Sequence, residues 1–221
     1  MSNRIAPDDP GSVYDRIAAS WYNYRHWTIF RAELTELAQR WQKGKLLNLG
    51  CGHGADFLPF KDGFALHGVD LSPEMLRYAQ KYATKFCFTA ELKVADVTKL
   101  PYPEASFDWA ISVATYHHLR HPEERAAAFR ELRRVLKPGG EAFVTVWNRW
   151  QPAFVFRGKE VMVPWRTREE TLYRYYYLFS YPEVTRLARS SGLTVLRAAP
   201  ERAHSGRPRF FSRNICLLVK R

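Results

Sequence analysis

A short apolar run, Lys45–Leu49 (KLLNL), stops abruptly in Gly50-Cys51-Gly52-His53-Gly54. Three glycines in five residues at the end of a strand let the backbone turn sharply and approach a neighbour closely. The rest of the chain then alternates. Further strand-like runs are expected at Leu66–Asp70, Leu92–Ala95, Phe107–Val113 and Glu141–Trp147, each with turn residues on at least one side. Helical stretches lie between them. Pro73–Tyr82 has Ser72 as its N-cap and Pro73 at its first position. Pro122–Leu136 carries Ala126, Phe129, Leu132, Val135 and Leu136 at helical spacing and stops at Lys137-Pro138-Gly139-Gly140. The alternation predicts an α/β chain with an open, doubly wound, mostly parallel sheet.

The ends of the chain depart from the alternation. Residues 11–41 read as an N-terminal cap of two helices rich in Trp and Tyr, and residues 45–147 as the core. Residues 148–180 lack clear periodicity and read as a substrate-side insertion; a long irregular stretch in a compact domain is usually functional. Residues 181–221 supply a helix near Pro182–Ser191 and two strand-like runs, Leu193–Ala198 and Asn214–Lys220, separated by a basic loop. All 221 residues fit one domain.

Charge and cysteine usage narrow the partners. The net charge is +12, and the stretch from Trp147 onward holds 15 basic and 5 acidic side chains, so it carries +10. A near-neutral body with a strongly basic final third suggests an anionic partner met by one part of the molecule. The longest apolar runs, such as Ile215–Val219, are far short of a membrane span. The first residues lack a secretory pattern. Three widely spaced cysteines, Cys51, Cys87 and Cys216, argue against a disulfide framework and a zinc site. The expected compartment is the reducing cytoplasm, with no membrane association.

Two carboxylates follow the glycine turn at telling places. Asp70 ends the second strand twenty residues after Gly50 and can accept both hydroxyls of a ribose. Asp96-Val97, after the third, can accept from an adenine amino group and pack against its ring. With Ala55, the glycine cluster also fits the loose G-x-G-x-x-A dinucleotide pattern. Both NAD and S-adenosylmethionine present an adenosine, so these features alone leave the cofactor open.

Three further blocks decide between them: Leu100–Asp108 (LPYPEASFD), Ile111–Leu119 (ISVATYHHL) and Glu131–Gly140 (ELRRVLKPGG). In order and spacing they resemble class I S-adenosylmethionine-dependent methyltransferases, over about residues 12–147. The resemblance implies a Rossmann-like seven-stranded sheet with a closing antiparallel strand. It also implies that Gly50, Cys51 and Gly52 lie against the methionine part of the cofactor and that Asp70 holds the ribose. Leu71 and Met75 would flank the adenosine, Asp96 and Val97 would hold the adenine, and Val113 and Ala114 would border the methionine end. Tyr14 and Tyr22 would cover the cofactor from the N-terminal helices. The family usually has an acid two residues before the first glycine, where this chain has Asn48.

Other segments are similar to the tRNA wobble-uridine carboxyl methyltransferases, which esterify 5-carboxymethyluridine. They are Val13–Ala18, Arg25, His117-His118, Val163-Pro164-Trp165, Arg174–Phe179 and Arg213-Asn214-Ile215. That family often has His where Tyr177 stands here. The resemblance implies tRNA as partner, with a small zinc-binding activator subunit in many cases, and puts Arg25, Arg174 and His118 at the acceptor. A carboxylate is already an anion at neutral pH and needs positioning more than a strong base. Arg25, Arg166 and Arg174 could supply paired donors to it, and Trp165, Tyr175 and Tyr176 could stack on unpaired bases. Two other readings use the same core: a methyltransferase for a small acid or quinone precursor, and a non-catalytic RNA- or partner-binding module.

Overall fold

The computed structural model describes residues 10–167, 170–204 and 208–221. The chain begins with α1 (Pro10–Tyr24) and α2 (Arg31–Trp41), then enters β1 (Gly44–Leu49) and a 3-10 turn at Ala55–Phe60. β2 (Phe64–Asp70), α3 (Pro73–Lys85), β3 (Ala90–Val94), β4 (Phe107–Val113), α4 (Pro122–Val135) and β5 (Leu136–Trp147) complete the alternating part. A hairpin of β6 (Glu160–Arg166) and β7 (Thr171–Tyr177) follows, then α5 (Tyr181–Ser190), β8 (Thr194–Pro200) and β9 (Asn214–Lys220).

Seven strands form one sheet in the order β3-β2-β1-β4-β5-β9-β8. The β3, β2, β1, β4 and β5 strands pair in parallel, and β9 runs antiparallel to both β5 and β8. This is the mostly parallel, Rossmann-like sheet with one antiparallel strand that the sequence predicts. Strand order reverses at β1, so a crevice opens beyond the carboxyl ends of β1 and β4, where such sheets bind ligands.

Both faces of the sheet are covered, which explains the continuous apolar runs. Leu46 and Leu47 are fully buried on opposite faces. Leu47 packs in a core with Phe129, Leu132 and Val184 from α4 and α5. Leu46 packs with Leu34, Leu37 and Trp41 of α2 and with Phe57 and Phe60. Helix α3 buries Met75, Leu76, Ala79, Tyr82 and Ala83, one face at helical spacing. Its expected cap is present: Ser72 Oγ accepts from the Met75 amide at 3.0 Å.

Four expectations about local structure need correction. The stretch 148–180 contains the antiparallel β6–β7 hairpin, with Glu160 opposite Tyr177. Its second strand hides from pattern reading because Leu172 and all four residues from Arg174 to Tyr177 are buried, leaving no polar face to alternate. Lys137–Gly140 belongs to β5 rather than only stopping α4, and the β4–β5 register shifts between Phe107 and Trp109 to absorb it. β3 begins two residues before its expected start at Leu92. Trp165, Tyr175 and Tyr176 do not offer free stacking faces: Tyr175 and Tyr176 are buried, and the Trp165 ring packs on Trp21 and Tyr24.

The hairpin and α1 close over the carboxyl edge of the sheet together. Leu172 packs with Val13, Ile17, Ala18 and Met75, and the Trp165 indole donates to Ser20 Oγ at 2.9 Å. Asp15 of α1 accepts from the Ser72 hydroxyl and from the Glu74 amide, tying α1 to the start of α3.

The turn after β1 permits no side chain at its first position. Gly50 has φ +70°, and a Cβ there would lie 2.3 Å from Thr115 Oγ1. We expect Gly50→Ala to combine left-handed strain with overpacking, each about 1–3 kcal/mol. Urea unfolding should show a loss of at least about 2 kcal/mol relative to the wild-type chain.

Candidate active site

The crevice holds a cavity of about 200 Å³. Its floor is the glycine turn. The amides of Gly50 and Cys51 both donate to the Val69 carbonyl, at 2.8 and 2.9 Å, which folds the turn back over the end of β2. Gly52, at φ +52°, donates to Asp70 Oδ2 at 2.8 Å, while Asp70 Oδ1 accepts from the Ser72 amide at 3.0 Å. Burial pushes the Asp70 carboxyl above its usual range, and these backbone donors oppose the shift. A carboxylate has about four lone-pair sites. Two are taken by the backbone, so both oxygens can still accept from a ligand.

On the far side of the turn, Thr115 Oγ1 donates to the Leu49 carbonyl at 3.0 Å. Ala114 is held at φ +57°, an unusual value for a residue with a Cβ, and its amide donates to Thr145 Oγ1 at 2.9 Å. Strained backbone of this sort concentrates at functional sites. Asn48 is completely buried beneath the turn, and neither its amide nitrogen nor its oxygen has a partner among the described residues.

Most of the expected site residues converge here. Tyr14, Arg25, Gly50, Cys51, Gly52, Asp70, Leu71, Met75, Val97, Val113, Ala114 and His118 all line the cavity. Three do not. Asp96 is exposed at the rim, and its Oδ1 accepts from the Thr98 amide. Tyr22 lies one layer back, packed against His53, Tyr78 and Tyr82. Arg174 stands behind Tyr14 and His118 in a small adjoining pocket.

His118 is not free to act on an acceptor in this arrangement. Its Nδ1 meets the Tyr175 carbonyl at 2.9 Å, and a carbonyl can only accept, so Nδ1 carries the proton. Nε2 then accepts from the Tyr14 hydroxyl at 2.9 Å. His118 thus joins α1 to β7 as a neutral imidazole, with burial lowering it to about 4. Its neighbour His117 is the opposite case. It is fully buried, lines the cavity, stacks on Tyr176 at 4.7 Å, and has no partner at either ring nitrogen among the described residues. Nothing in the sequence separates the two histidines; their difference comes from where the hairpin docks.

Arginines without acids surround this end of the cavity. The Trp21 ring carries Arg25 and Arg174, each guanidinium 5.5 Å from its centroid. Arg174 is buried, also faces Trp165 at 5.0 Å, and donates to the Tyr176 hydroxyl at 2.9 Å. Arg213, which sequence reading noted only as part of a strand motif, lines the cavity and lies 5.0 Å from the Trp147 ring. Arg25 Nε and Arg174 Nε are buried without a hydrogen-bond partner, and none of the three arginines is ion-paired to an acid among the described residues.

A cavity with a glycine floor, a ribose-ready carboxylate and a cationic aromatic end has recognisable relatives. A family model described as a methyltransferase domain matches residues 47–144. A protein of Encephalitozoon cuniculi (strain GB-M1) named as a methyltransferase is 30% identical over 86% of this chain and 92% of its own length. The chain belongs to the class I S-adenosylmethionine-dependent methyltransferases. Its cofactor is S-adenosylmethionine. An Arabidopsis thaliana tRNA (carboxymethyluridine(34)-5-O)-methyltransferase is 35% identical over 61% of this chain, which spans 31% of that protein. Phosphoethanolamine N-methyltransferase 3 of Arabidopsis thaliana is 35% identical over 48% of the chain, which spans 21% of that protein. In fold, the methyltransferase superposes on an S-adenosylmethionine-dependent methyltransferase from Clostridium acetobutylicum ATCC 824 with a TM-score of 0.74 at 16% identity, covering 94% of this chain and 98% of the other.

The residues present fit that cofactor. A Cβ on Gly52 would meet no protein atom within 4 Å and would only fill the cavity. The buried imidazoles also set the acid response. Burial lowers His53 and His118 to about 4 and holds His117 well below its ordinary value as well. As pH falls from about 6.5 toward 4, the unfolded chain binds protons at these positions and the folded chain does not. Stability is therefore lost as pH falls through that window. Asp56, raised to about 6 by burial, binds its proton in the folded state and offsets part of the loss. Urea midpoints measured between pH 7 and pH 4.5 should fall; a flat or rising series would contradict the burial of the histidines.

Proposed function

We propose that this methyltransferase transfers its methyl group to a carboxylate on a modified wobble uridine of tRNA, forming an ester. The observation that carries the reading is Arg25 and Arg213 lining the cavity with Arg174 in the pocket adjoining it, none of them ion-paired to an acid among the described residues. Guanidinium groups that no acid pairs keep donors free for an incoming anion, and a carboxylate acceptor is the complementary group. The similarity to the Arabidopsis carboxymethyluridine enzyme and the net charge of +10 from Trp147 onward support RNA as the carrier of that group. A zinc-binding activator subunit is not part of this reading, since no observation on the sheet edges speaks for one. Free cysteines, two of them buried, suit a reducing cytoplasm.

When bound, S-adenosylmethionine supplies an electrophilic methyl group on sulfur. The chain's own residues bind and orient around it. Asp70 accepts from the ribose hydroxyls with its free lone pairs, and Val97, Leu71 and Met75 give the adenosine apolar walls. Asp96 reaches the adenine from the rim. Tyr14, held by His118, covers the cofactor. Arg25 and Arg213 hold the acceptor carboxylate, and Arg174 sets the local charge from behind Tyr14. The acceptor oxygen carries no proton, so no general base is required. A second reading, a small anionic metabolite as acceptor, is favoured by the similarity to the phosphoethanolamine enzyme. It uses the same arginines.

Labelled methyl transfer to total RNA, followed by nucleoside analysis, separates the two. The product should be an alkali-labile ester; a base-stable methyl product, or equal transfer to tRNA that never carried the carboxymethyl group, would defeat the proposal. Arg25→Ala removes a contact worth about 1.5–3 kcal/mol in the transition state, so turnover should drop about ten- to a hundredfold. Arg25→Lys should recover only part, because an ammonium lacks paired donors. Calorimetry with S-adenosylhomocysteine should show wild-type affinity for both variants. Asp70→Ala should instead lose about tenfold or more in that same titration.

A further inference from the structure

Five aromatic side chains are exposed among the described residues: Tyr24, Trp27, Phe156, Phe210 and Phe211. All lie in segments at the carboxyl edge of the parallel strands. Trp27, with Tyr24 close by in sequence, lines the cavity from the connection between α1 and α2. Phe156 follows the end of β5 at Trp147, and Phe210 and Phe211 precede β9, whose Asn214 pairs with Trp147. The β5–β6 and β8–β9 connections therefore leave the sheet side by side, at the arginine-rich end of the cavity.

These two connections meet. The Phe210 ring stacks on Trp150 at 4.9 Å and 24°, with Phe211 edge-on to Phe210 at 5.3 Å. Arg149 lies over the Trp150 ring at 4.4 Å. Asn148 fixes the arrangement by donating to the Phe210 and Ser212 carbonyls at 2.8 and 2.9 Å. The sequence around the rings is strongly one-sided. Residues 148–158 and 201–213 contain Arg149, Arg157, Arg202, Arg207, Arg209 and Arg213 against one acid, Glu201, whose carboxylate accepts from the Arg213 and Asn214 amides. Arg202 is spoken for by Glu36, and Arg207 and the side chain of Arg209 lie outside what the structure describes, so the arginines that remain in these two stretches are Arg149, Arg157 and Arg213.

Exposed aromatic faces among arginines, where the one neighbouring acid is already held by backbone amides, suit a polyanion with flat rings. Unpaired bases want flat rings and their phosphates want guanidinium groups, and the net charge of +10 from Trp147 onward favours a polyanion over a protein face. We propose that Phe210 and Phe211, backed by the Trp150–Arg149 pair, form a stacking platform for unpaired bases of an RNA strand that continues from the acceptor nucleotide in the cavity. This rests on the RNA reading above and specifies its contact surface. It also replaces Trp165, Tyr175 and Tyr176: the Trp165 ring packs on α1, and Tyr175 and Tyr176 are buried.

The test uses the full chain and two fluorescent RNAs of one length, a stem–loop with an unpaired loop and a perfect duplex. Wild-type protein should prefer the stem–loop. The double variant Phe210→Ala/Phe211→Ala should bind it about tenfold more weakly, with duplex binding and S-adenosylhomocysteine affinity unchanged. Its salt slope should match wild type, since no charge is lost, whereas Arg149→Ala/Arg157→Ala should reduce the slope. Phe210→Trp should bind at least as tightly as wild type, a result that simple misfolding would not give. Wild-type loop affinity in the double variant, or an equal loss for loop and duplex, overturns the platform and leaves the methylation reading standing. Aromatic-dependent loop binding without an ester product defeats that reading and keeps the platform. No binding to either RNA at low salt overturns both.

Discussion

The fold of the backbone after β1 depends on a small group of amide hydrogen bonds. Gly50 and Cys51 share the Val69 carbonyl, and Gly52 takes one oxygen of Asp70 while Ser72 takes the other. The carboxylate thereby joins two crossover connections, and Ser72 passes the constraint on to α3 through its cap and to α1 through Asp15. Each of these bonds is worth only about 1 kcal/mol net, yet together they decide which atoms face the cavity. Donors that would otherwise compete for a ligand are already satisfied, and the acceptors left over are those a ribose can use.

The opposite end of the cavity is built on a different principle. There the aromatic rings of α1 and the hairpin take the place of counter-ions. The Trp21 ring is near both Arg25 and Arg174, and Arg174 also faces Trp165 and Tyr176. Ring faces attract a guanidinium by about 0.5–2 kcal/mol, far less than burying a charge costs. The site therefore holds positive charge in excess of what its own surroundings neutralise. Histidines kept neutral by burial do not add to that charge, which leaves the arginines as the source of the field an incoming anion meets.

Much of this was legible in the sequence because it depends on near neighbours. Gly50, Gly52 and Gly54 signal positive φ wherever they occur after a strand, Ser72-Pro73 announces a helix start, and Asp70 follows from the length of one strand–helix–strand unit. What escaped needs the whole molecule. Arg213 enters the cavity only because β9 inserts between β5 and β8. His117 and His118 are adjacent in the chain, and the hairpin alone decides that one is saturated and the other is not. The aromatic run Tyr173–Tyr177 could be read as a surface for bases, but its burial on both sides of β7 depends on α1, α5 and β6, which no local pattern reports. Tyr22 and Arg174 were placed one layer too far forward for the same reason: a helix or strand position fixes a direction, and neighbouring side chains fix how far the group reaches.

The placement of β9 has a consequence for how the protein is made. It comes after every other strand in chain order yet occupies an interior place in the sheet, with β5 on one side and β8 on the other. While the polypeptide is emerging from a ribosome, β5 presents an unpaired edge and β8 has no neighbour to pair with until residues 214–220 are available. During that interval the apolar faces around Val144 and Val146 lack Ile215 and Leu217, which pack with them in the finished core. The nascent chain thus carries an open, hydrophobic strand edge until residues 214–220 are available, the kind of surface that attracts chaperones or other chains. Sealing that edge and bringing Arg213 to the cavity happen in the same event, so the site acquires its last cation only when the sheet is complete.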